Sequence, residues 1–374
     1  MEFFLKMDIT AYYFPNYHAD TKNEEFHGKG WTEWELMKIA RSRFPGHQQP
    51  KIPVWGYEDE ADPAVMAKKI DTAKANGVDA FIFDWYWYDG PYLQRALDEG
   101  FLPAVNGKDF KFALMWANHD WYDRHPCNRD VYHPKMLYRW NNTKENIDEI
   151  WDMLVEKYFT HENYWYLDNV PYFSIYATNR FIKQMGGVED CAEVLNSLRE
   201  KVKSAGLPGL HINAVWYDNL DNAPSSPCTT AEWTTRAGFD SYTSYNCMFP
   251  HPLWEKDLKI AFKDSNRIYL ELAEKAFTTL PAPYLPVVTA GWDSSPRTIQ
   301  SDVYELLGYP YLPVMEPDAD GFSELLEALL KYDPKAIFIN AWNEWTEGSY
   351  LEPDEKNGMM LLERLKKFKD GLKK

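Results

Sequence analysis

Two glutamates, Glu344 and Glu347, lie three residues apart near the end of the chain, directly after an apolar run that begins at Ala336. If the loop turns helically there, both carboxyl groups can face one cavity. Cleavage of a glycosidic bond requires one carboxyl to protonate the leaving oxygen and a second group to act as base or nucleophile. Two close carboxyls also push their pKa values apart, so that one keeps its proton near neutral pH. The pair of glutamates predicts acid–base chemistry on a sugar. The alternative is that both side chains are ordinary solvent-exposed residues of a loop.

Aromatic residues are unusually frequent: Trp, Tyr and Phe number 16, 25 and 20, or 16% of the 374 residues. Many of the Trp and Tyr lie among polar residues, at positions 31–34, 84–89, 116–122 and 342–345. Their rings combine a flat apolar face with a polar edge, which matches the C–H face and hydroxyls of a sugar. Each ring taken singly fits ordinary core packing equally well. Together they favour an aromatic sugar-binding surface.

The elements that must position these residues are eight short apolar runs that alternate with helical patterns. Several of the runs are almost continuously apolar, as in strands covered on both faces. This alternation predicts an α/β protein, a (β/α)8 barrel, as one domain over residues 1–374 with long insertions at the C-terminal face. An open doubly wound sheet is disfavoured because no glycine-rich phosphate loop follows the first run. The predicted strands are residues 8–14, 80–86, 111–117, 171–177, 210–215, 238–242, 284–289 and 336–342, and the insertions lie near 15–60, 118–145 and 217–236.

Four helices have clear signals in the sequence. Asp62 followed by Pro63 predicts a helix N-terminus, and that helix is expected to end near residue 76. Apolar residues at helical spacing predict three more helices over residues 190–203, 322–331 and 359–369.

A barrel enzyme has its site at the C-terminal ends of the strands, so residues that follow the runs should converge there. These residues are rich in carboxylates and aromatic rings and poor in Lys and Arg, which favours a neutral, hydroxyl-rich substrate. Asp120 and Asn246 belong to this convergent set. The predicted substrate-binding residues are Tyr13, Asn16, His18, Trp31, Trp34, Asp84, Trp85, Trp87, Asn118, His119, Trp216, Tyr217, Tyr245, Trp292, Asp293, Trp342, Asn343 and Trp345.

Six motifs spread over nearly the whole chain are specific in combination, at residues 11–18, 28–34, 44–50, 83–87, 116–118 and 342–348. On these motifs the sequence resembles the WbsX-like proteins, which are often labelled glycosyltransferases, occur with polysaccharide genes and are related to family 99 glycoside hydrolases. The resemblance implies a (β/α)8 barrel and a metal-independent hydrolase that cleaves α-linked sugars with retention.

The same resemblance implies a role for each glutamate. Glu344 would help the substrate's own 2-hydroxyl attack the anomeric carbon, which gives a 1,2-anhydro sugar. Glu347 would protonate the leaving oxygen and later activate water. One segment departs from the family pattern, because His119 stands where the WbsX-like proteins carry a glutamate in an Asn-Glu-Asn-Trp segment. This departure affects the expected substrate identity or the role of the third loop.

Composition excludes several other classes. The formal charge of −17 argues against a nucleic-acid partner and against docking on anionic lipid. No apolar run approaches the ~18 residues of a membrane span. The first residues do not resemble a secretory signal, so the cytoplasm is expected, with the periplasm as the alternative if a leader has been removed. The four cysteines form no CxxC pair.

No cofactor or metal is predicted. His18, His27 and His119 could combine with Asp84 and Asp120 to bind a metal, yet no HxH or HExxH spacing supports such a site.

The sequence predicts a retaining glycoside hydrolase whose partner is an oligosaccharide or polysaccharide. A glycosyltransferase of surface-polysaccharide assembly is the first alternative. Such an enzyme usually holds a nucleotide diphosphate through a metal and a DxD motif or through a cationic clamp, and the nearest strings are residues 218–221 and 318–320. The second alternative is a non-catalytic sugar-binding barrel, which would not need both glutamates.

Overall fold

The computed structural model describes residues 7–123, 135–215, 231–247, 257–300 and 313–372. Within these residues, eight parallel strands lie side by side in the order predicted from the sequence, and one of them is divided into two segments. These strands are β1 Asp8–Tyr13, β2 Ala80–Trp87, β3 Lys111–Trp116, β4 Val170–Ile175, β5 His211–Val215, β6 Ser241–Thr243, β7 in two segments Tyr284–Leu285 and Val287–Thr289, and β8 Ala336–Asn340.

The sheet closes almost completely into a barrel through β7. Its first segment pairs with β6 and its second segment pairs with β8, while β8 also pairs with β1. Pro286 separates the two segments because it has no N–H to donate to a neighbouring strand. Its carbonyl still accepts the N–H of Phe338 at 2.9 Å. The predicted (β/α)8 barrel is confirmed.

Alternation along the strands divides the side chains between the barrel interior and the outer layer that faces the helices. Tyr172 of β4 and Phe338 of β8 come from strands that do not pair, yet their ring centroids lie 5.7 Å apart. This contact therefore crosses the interior. Tyr12 also packs there, 5.5 Å from Phe338, whereas the next residue, Tyr13, accepts a hydrogen bond from Lys69 of the outer layer at 3.2 Å.

The helices surround the barrel, and the four predicted from the sequence are all present. Asp62 caps the first of them by accepting the Ala64 N–H at 2.8 Å, and the ends of the other three differ from prediction by one to three residues. The helices are α1 Thr21–His27, α2 Trp34–Ile39, α3 Pro63–Ala75, α4 Ile147–Leu154, α5 Thr178–Gln184, α6 Val188–Ser204, α7 Ala231–Arg236, α8 Phe262–Thr279, α9 Ala319–Leu329 and α10 Met360–Gly371. No helix in the described ranges is long and apolar enough to cross a membrane.

Short elements at the C-terminal ends of the strands shape the site. After β8 the chain forms a tight hairpin in which Asn343–Glu344 pairs with Ser349–Tyr350 around the 3₁₀ turn Trp345–Glu347. This turn provides the helical geometry under which both glutamates can face one cavity. Gly348 closes it with a left-handed φ of 64°, and a side chain there would lie 2.8 Å from the backbone nitrogen of Asp293.

The predicted insertions lie partly within the described residues. The first insertion, near residues 15–60, carries α1 and α2. In the second insertion, near residues 118–145, Trp121–Tyr122 pairs with Met136–Tyr138. Residues 124–134 and 216–230, which include most of the third insertion, lie outside the described residues.

Candidate functional site

A cavity of about 420 Å³ opens at the C-terminal ends of the barrel strands. Residues from the ends of several strands converge on it, as the barrel fold predicts. Six residues singled out in the sequence are among them: Glu344, Glu347, Asp84, His119, Asp120 and Tyr245. The complete lining is Phe14, Asp84, Tyr86, Met115, Ala117, His119, Asp120, Trp121, Tyr122, Tyr176, Arg180, Tyr245, Arg297, Glu344 and Glu347.

The two glutamates are held side by side by one guanidinium group. Arg297 donates from Nη2 to Glu344 Oε2 at 3.1 Å and from Nη1 to Glu347 Oε1. Tyr245 donates its hydroxyl to the other Glu344 oxygen, Oε1, at 2.9 Å. Glu347 Oε2 is buried and makes no hydrogen bond within the described part of the chain. Both oxygens of Glu344 therefore have a potential donor nearby, while Glu347 Oε2 has none among the described residues.

Burial first, and then the charge of Glu347, raise the pKa of Glu344 well above its ordinary value, against the opposing effect of Arg297. Burial likewise raises the pKa of Glu347, again opposed by Arg297. The pair shares its protons, because a proton on Glu347 removes the repulsion that raises the pKa of Glu344. Ionisation of one glutamate therefore raises the pKa of the other, so the pair holds a proton more strongly than an isolated carboxyl does.

Asp84 completes the acidic side of the cavity. Its Oδ2 lies 3.1 Å from the Tyr245 hydroxyl that also contacts Glu344, and its Oδ1 is buried without a hydrogen bond to any described residue. A phenol has one proton, so it cannot donate to two carboxylates at once. Burial raises the pKa of Asp84 well above its usual range, which fits a proton held on one of these carboxyls.

Arg297 was not predicted to be a site residue, and the expectation that the cavity contains little Lys or Arg is wrong. The residue ends the 3₁₀ turn Ser295–Arg297, eight positions after β7. Its Nε donates to Glu33 Oε1 at 3.0 Å and to the Thr346 hydroxyl at 2.9 Å. No sequence motif marks this arginine, because its partners come from remote parts of the chain.

The opposite wall of the cavity is aromatic and carries a second arginine. The Asp120 carboxylate accepts from Arg180 Nη2 at 2.5 Å and from the backbone N–H of Trp140 at 2.8 Å. His119 packs against Trp121 in a stacked arrangement, with ring centroids 6.1 Å apart. The lining residues that sequence reasoning did not assign to substrate are Phe14, Tyr86, Met115, Ala117, Asp120, Trp121, Tyr122, Tyr176, Arg180 and Arg297, several of which directly follow or end a strand.

Most of the aromatic residues predicted to bind substrate pack outside the lining of this cavity. In β2, Asp84 and Tyr86 face the cavity, so alternation turns Trp85 toward the outer layer, where it packs 5.6 Å from Trp116. Trp345 stacks on Tyr350 at 3.8 Å. The other predicted aromatics that the structure places outside the lining are Tyr13, Trp31, Trp34, Trp87, Trp292 and Trp342, while Trp216 and Tyr217 lie outside the described residues.

The predicted asparagines position loops instead of lining the cavity. Asn343 binds both the N–H and the carbonyl of Phe14, each at 2.8 Å, and so ties the loop after β8 to the end of β1. Asn118 binds both backbone groups of Ala177, at 2.7 and 3.1 Å. Asn16 donates to Glu33 Oε2 at 2.6 Å. Their short amides satisfy buried backbone groups, which would otherwise be costly.

His18 is also buried away from the cavity. Its Nδ1 lies 3.1 Å from Glu60 Oε1, and Tyr13 donates to the other Glu60 oxygen at 2.9 Å. The histidines and aspartates considered for a metal are not brought together: in the described ranges, no group of three His, Cys, Asp or Glu side chains is placed to hold a metal ion.

Asp293 supports the loop that carries the glutamates. Its carboxylate is fully buried and accepts from Gln49 Nε2 at 2.7 Å, with His47 Nε2 at 3.0 Å and Lys51 Nζ at 3.8 Å. Burial alone would raise the pKa of Asp293, but Lys51 and His47 outweigh it and hold the pKa below its ordinary value. Asp293 therefore acts in the structure of the site and does not line the cavity.

This arrangement predicts an acid-dependent loss of stability. A carboxyl whose pKa is lowered on folding stabilises the fold above its unfolded-state pKa of about 4, and this stabilisation disappears as the pH falls below that value. Asp293→Asn is expected to cost roughly 3 kcal/mol at pH 7. The test is to measure the melting temperatures of wild type and Asp293→Asn between pH 7 and pH 3. The difference between the two melting temperatures should narrow below about pH 4. A difference that stays constant over this range would contradict the prediction. Asp240→Asn, in a partly exposed pair with Arg199, serves as the control and should cost under about 1 kcal/mol.

A (β/α)8 barrel whose C-terminal cavity combines paired carboxyls with aromatic walls is typical of carbohydrate-active enzymes. Comparison with known proteins agrees with this class. The family model described as Glycosyltransferase WbsX matches residues 9–365, and the chain belongs to that family. The resemblance inferred from the sequence motifs is confirmed.

One protein that is similar in sequence and two that are similar in structure accompany this family match. The Xanthomonas campestris pv. campestris protein WxcX is 25% identical over 365 residues, which cover 96% of this chain and 49% of WxcX. This chain thus spans about half the length of that relative. The GH99 endo-alpha-mannosidase from Bacteroides thetaiotaomicron superposes with a TM-score of 0.59 at 13% identity and covers 98% of both chains. A glycoside hydrolase-like protein superposes with a TM-score of 0.60 at 14% identity, covering 97% of this chain and 93% of its own. At such low sequence identity, these superpositions show that both proteins share the fold of this chain.

Proposed function

We propose that this protein is a glycoside hydrolase that cleaves α-linked sugars of a polysaccharide or glycan with retention of configuration. The observation that carries the proposal is the arrangement of Glu344 and Glu347 on the two terminal nitrogens of Arg297 at the cavity wall. One glutamate has both oxygens bound by donors, and the other has a buried oxygen without a partner among the described residues. In this proposal Glu344 acts as the base and Glu347 as the acid of one reaction.

In the first step, the Glu344 carboxylate accepts the proton of the substrate's 2-hydroxyl, and the 2-oxygen attacks the anomeric carbon. The bond from that carbon to the leaving oxygen breaks, and the Glu347 carboxyl protonates the leaving oxygen. In the second step, the Glu347 carboxylate takes a proton from water, whose oxygen opens the 1,2-anhydro ring at the anomeric carbon. The 2-oxygen recovers its proton from Glu344. Two inversions at one carbon give net retention.

The α linkage is supported by the fold neighbour, which is an endo-alpha-mannosidase. The cavity has a volume of about 420 Å³, within the range of small-ligand pockets, and its walls carry Trp121, Tyr122, Tyr86 and Tyr176. Aromatic rings of this kind pack against the C–H faces of sugars. We therefore expect α-mannosides and α-rhamnosides to be the first substrates to test.

The experiment is a time course with α- and β-linked oligosaccharides, followed by proton NMR of the anomeric signals. The α-linked substrates should release reducing ends, and the first product detected should be the α anomer, before mutarotation supplies the β anomer. The β-linked substrates should remain intact. A first product in the β configuration would contradict retention.

A glycosyltransferase is the second candidate, because the family is described by that name. The string at residues 318–320 does not serve as a nucleotide–metal site: Asp318 caps α9 by accepting the Gly321 N–H at 2.6 Å, and Asp320 pairs with Arg364 at 2.9 Å. Residues 218–221 lie outside the described residues. Turnover that requires a nucleotide-sugar donor would favour this candidate. Binding without turnover, unchanged in Glu347→Ala, would favour a sugar-binding barrel.

A further inference from the structure

Glu33, within the motif Trp31-Thr32-Glu33-Trp34, lies directly behind the catalytic pair without lining the cavity. Its side chain is completely buried, at the residue that precedes α2. A fully buried carboxylate is costly unless charged and hydrogen-bonding partners compensate it. The partners of Glu33 therefore indicate what it does.

Both oxygens of Glu33 are engaged. Oε1 accepts from Arg297 Nε at 3.0 Å and from the Thr346 hydroxyl, and Oε2 accepts from Asn16 Nδ2 at 2.6 Å. The chain of hydrogen bonds continues away from the cavity, since Asn16 accepts from Asn23 at 2.7 Å and Asn23 accepts from Tyr92 at 2.6 Å. Glu33 thus connects a rigid buried network to Arg297.

Arg297 Nε and Nη2 each lie 3.0 Å from Glu33 Oε1, while Nη2 also donates to Glu344 at 3.1 Å and Nη1 donates to Glu347. We infer that Glu33 is a positioning residue: it aims Nη1 and Nη2 of Arg297 at Glu347 and Glu344, and its negative charge offsets that of the guanidinium beside them. The inference rests on the proposed function, in which these glutamates act as acid and base. An arginine whose charge was not offset would hold both glutamates as anions and remove the acid.

The charged groups around Glu344 and Glu347 determine the direction in which the loss of Glu33 shifts their pKa values. The groups that act on it are Arg297 from the turn after β7, Asp84 from β2, Glu33 ahead of α2, Tyr245 after β6 and Tyr17 after β1. Glu33 raises the pKa of both glutamates, after the larger effect of burial. Its removal should therefore lower the pH at which the pair loses its proton.

The test compares Glu33→Gln, which keeps the shape and removes the charge, with Glu33→Asp, which keeps the charge and shortens the reach. For Glu33→Gln we expect the alkaline limb of the kcat/KM profile to move down by about one pH unit, and kcat to fall roughly 10- to 100-fold. For Glu33→Asp we expect a similar fall in kcat with the limb within about 0.3 units of wild type. The inference would be overturned if the alkaline limb of the kcat/KM profile shifted equally in both variants, or if it did not shift in Glu33→Gln.

Glu60→Gln is the matched control, because Glu60 is also fully buried and accepts from Tyr13 and the Tyr17 N–H, yet makes no contact with Arg297 in the described structure. A purely structural effect of losing a buried charge would appear there as a lower melting temperature with an unmoved limb. Melting temperatures of all variants show that each is folded under the assay conditions.

A second readout does not depend on turnover. In protein labelled with ¹³C-glutamate, the infrared C=O band of protonated carboxyls that is lost in Glu344→Gln and Glu347→Gln belongs to the pair. The midpoint of its titration should fall by about one pH unit in Glu33→Gln and stay in place in Glu33→Asp. If the protein proves not to hydrolyse glycans, this shift still supports the positioning role. A titration that Glu33→Gln leaves unchanged refutes that role, whatever the reaction.

Discussion

Glu347→Gln is expected to lower kcat on α-linked oligosaccharides by about 10³- to 10⁴-fold, the upper part of the range for loss of a general acid–base group. The amide keeps the size of the side chain and can still bind Arg297 through its oxygen. The amide cannot supply the proton that the leaving oxygen requires. The loss is therefore expected in the chemical step, while KM changes little.

The leaving group provides a specific test of the acid role. An aryl glycoside whose phenol has a low pKa departs without protonation, so bond cleavage in that substrate should be much less affected than in a sugar–sugar linkage. We expect the defect of Glu347→Gln in kcat/KM to shrink at least tenfold with such a substrate. An equal loss on both substrates would assign Glu347 another role, and near-normal activity would remove it from the mechanism.

Glu352→Gln is a suitable control for this experiment. Glu352 is buried five residues further along and accepts from Trp345 Nε1 at 2.7 Å, outside the cavity lining. Its loss should reduce stability because Lys69, 2.7 Å away, is left without its ion-pair partner. The decrease in kcat should stay within about tenfold, since no group in the cavity changes.

Arg297→Ala is expected to have the largest effect on stability, a loss of about 3–5 kcal/mol at neutral pH. The substitution leaves Glu33, Glu344 and Glu347 buried without the cation that all three contact. Activity should fall by at least 10³-fold, because nothing then holds the two catalytic carboxyls side by side. Thermal unfolding and turnover on the same α-linked substrate measure the two effects.

The pH dependence of this loss has a definite sign. Without Arg297, the folded-state pKa values of Glu344 and Glu347 rise further above the unfolded value of about 4.3, so folding becomes less favourable as the pH rises above that value. The gap in melting temperature between wild type and Arg297→Ala should therefore narrow as the pH falls through the raised pKa values of the two glutamates and both carboxyls take up a proton. Arg180→Ala, whose side chain is 30% exposed in its pair with Asp120, should cost under about 1 kcal/mol. Similar losses in the two variants would contradict the central role of Arg297.

Sequence alone determined the barrel and the catalytic candidates. Buried strands of a parallel barrel are continuous apolar runs, so all eight were visible as local patterns, and β2 and β8 in particular are nearly free of polar residues. Glu344 and Glu347 were visible because strand ends and catalytic positions coincide in this fold. The 3₁₀ turn Trp345–Glu347, with Glu344 directly before it, meets the condition of a helical loop under which the spacing brings both side chains to one cavity.

Tertiary structure decided which neighbours of those residues face the cavity. Alternation along β2 places Asp84 and Tyr86 inward and Trp85 outward, a choice that composition does not reveal because all three lie in one apolar run. Arg297 contacts Glu33 across 264 residues of sequence and Glu344 across 47. Such contacts arise only when the barrel closes, since the chemistry of a buried charge depends on the partners that folding brings to it.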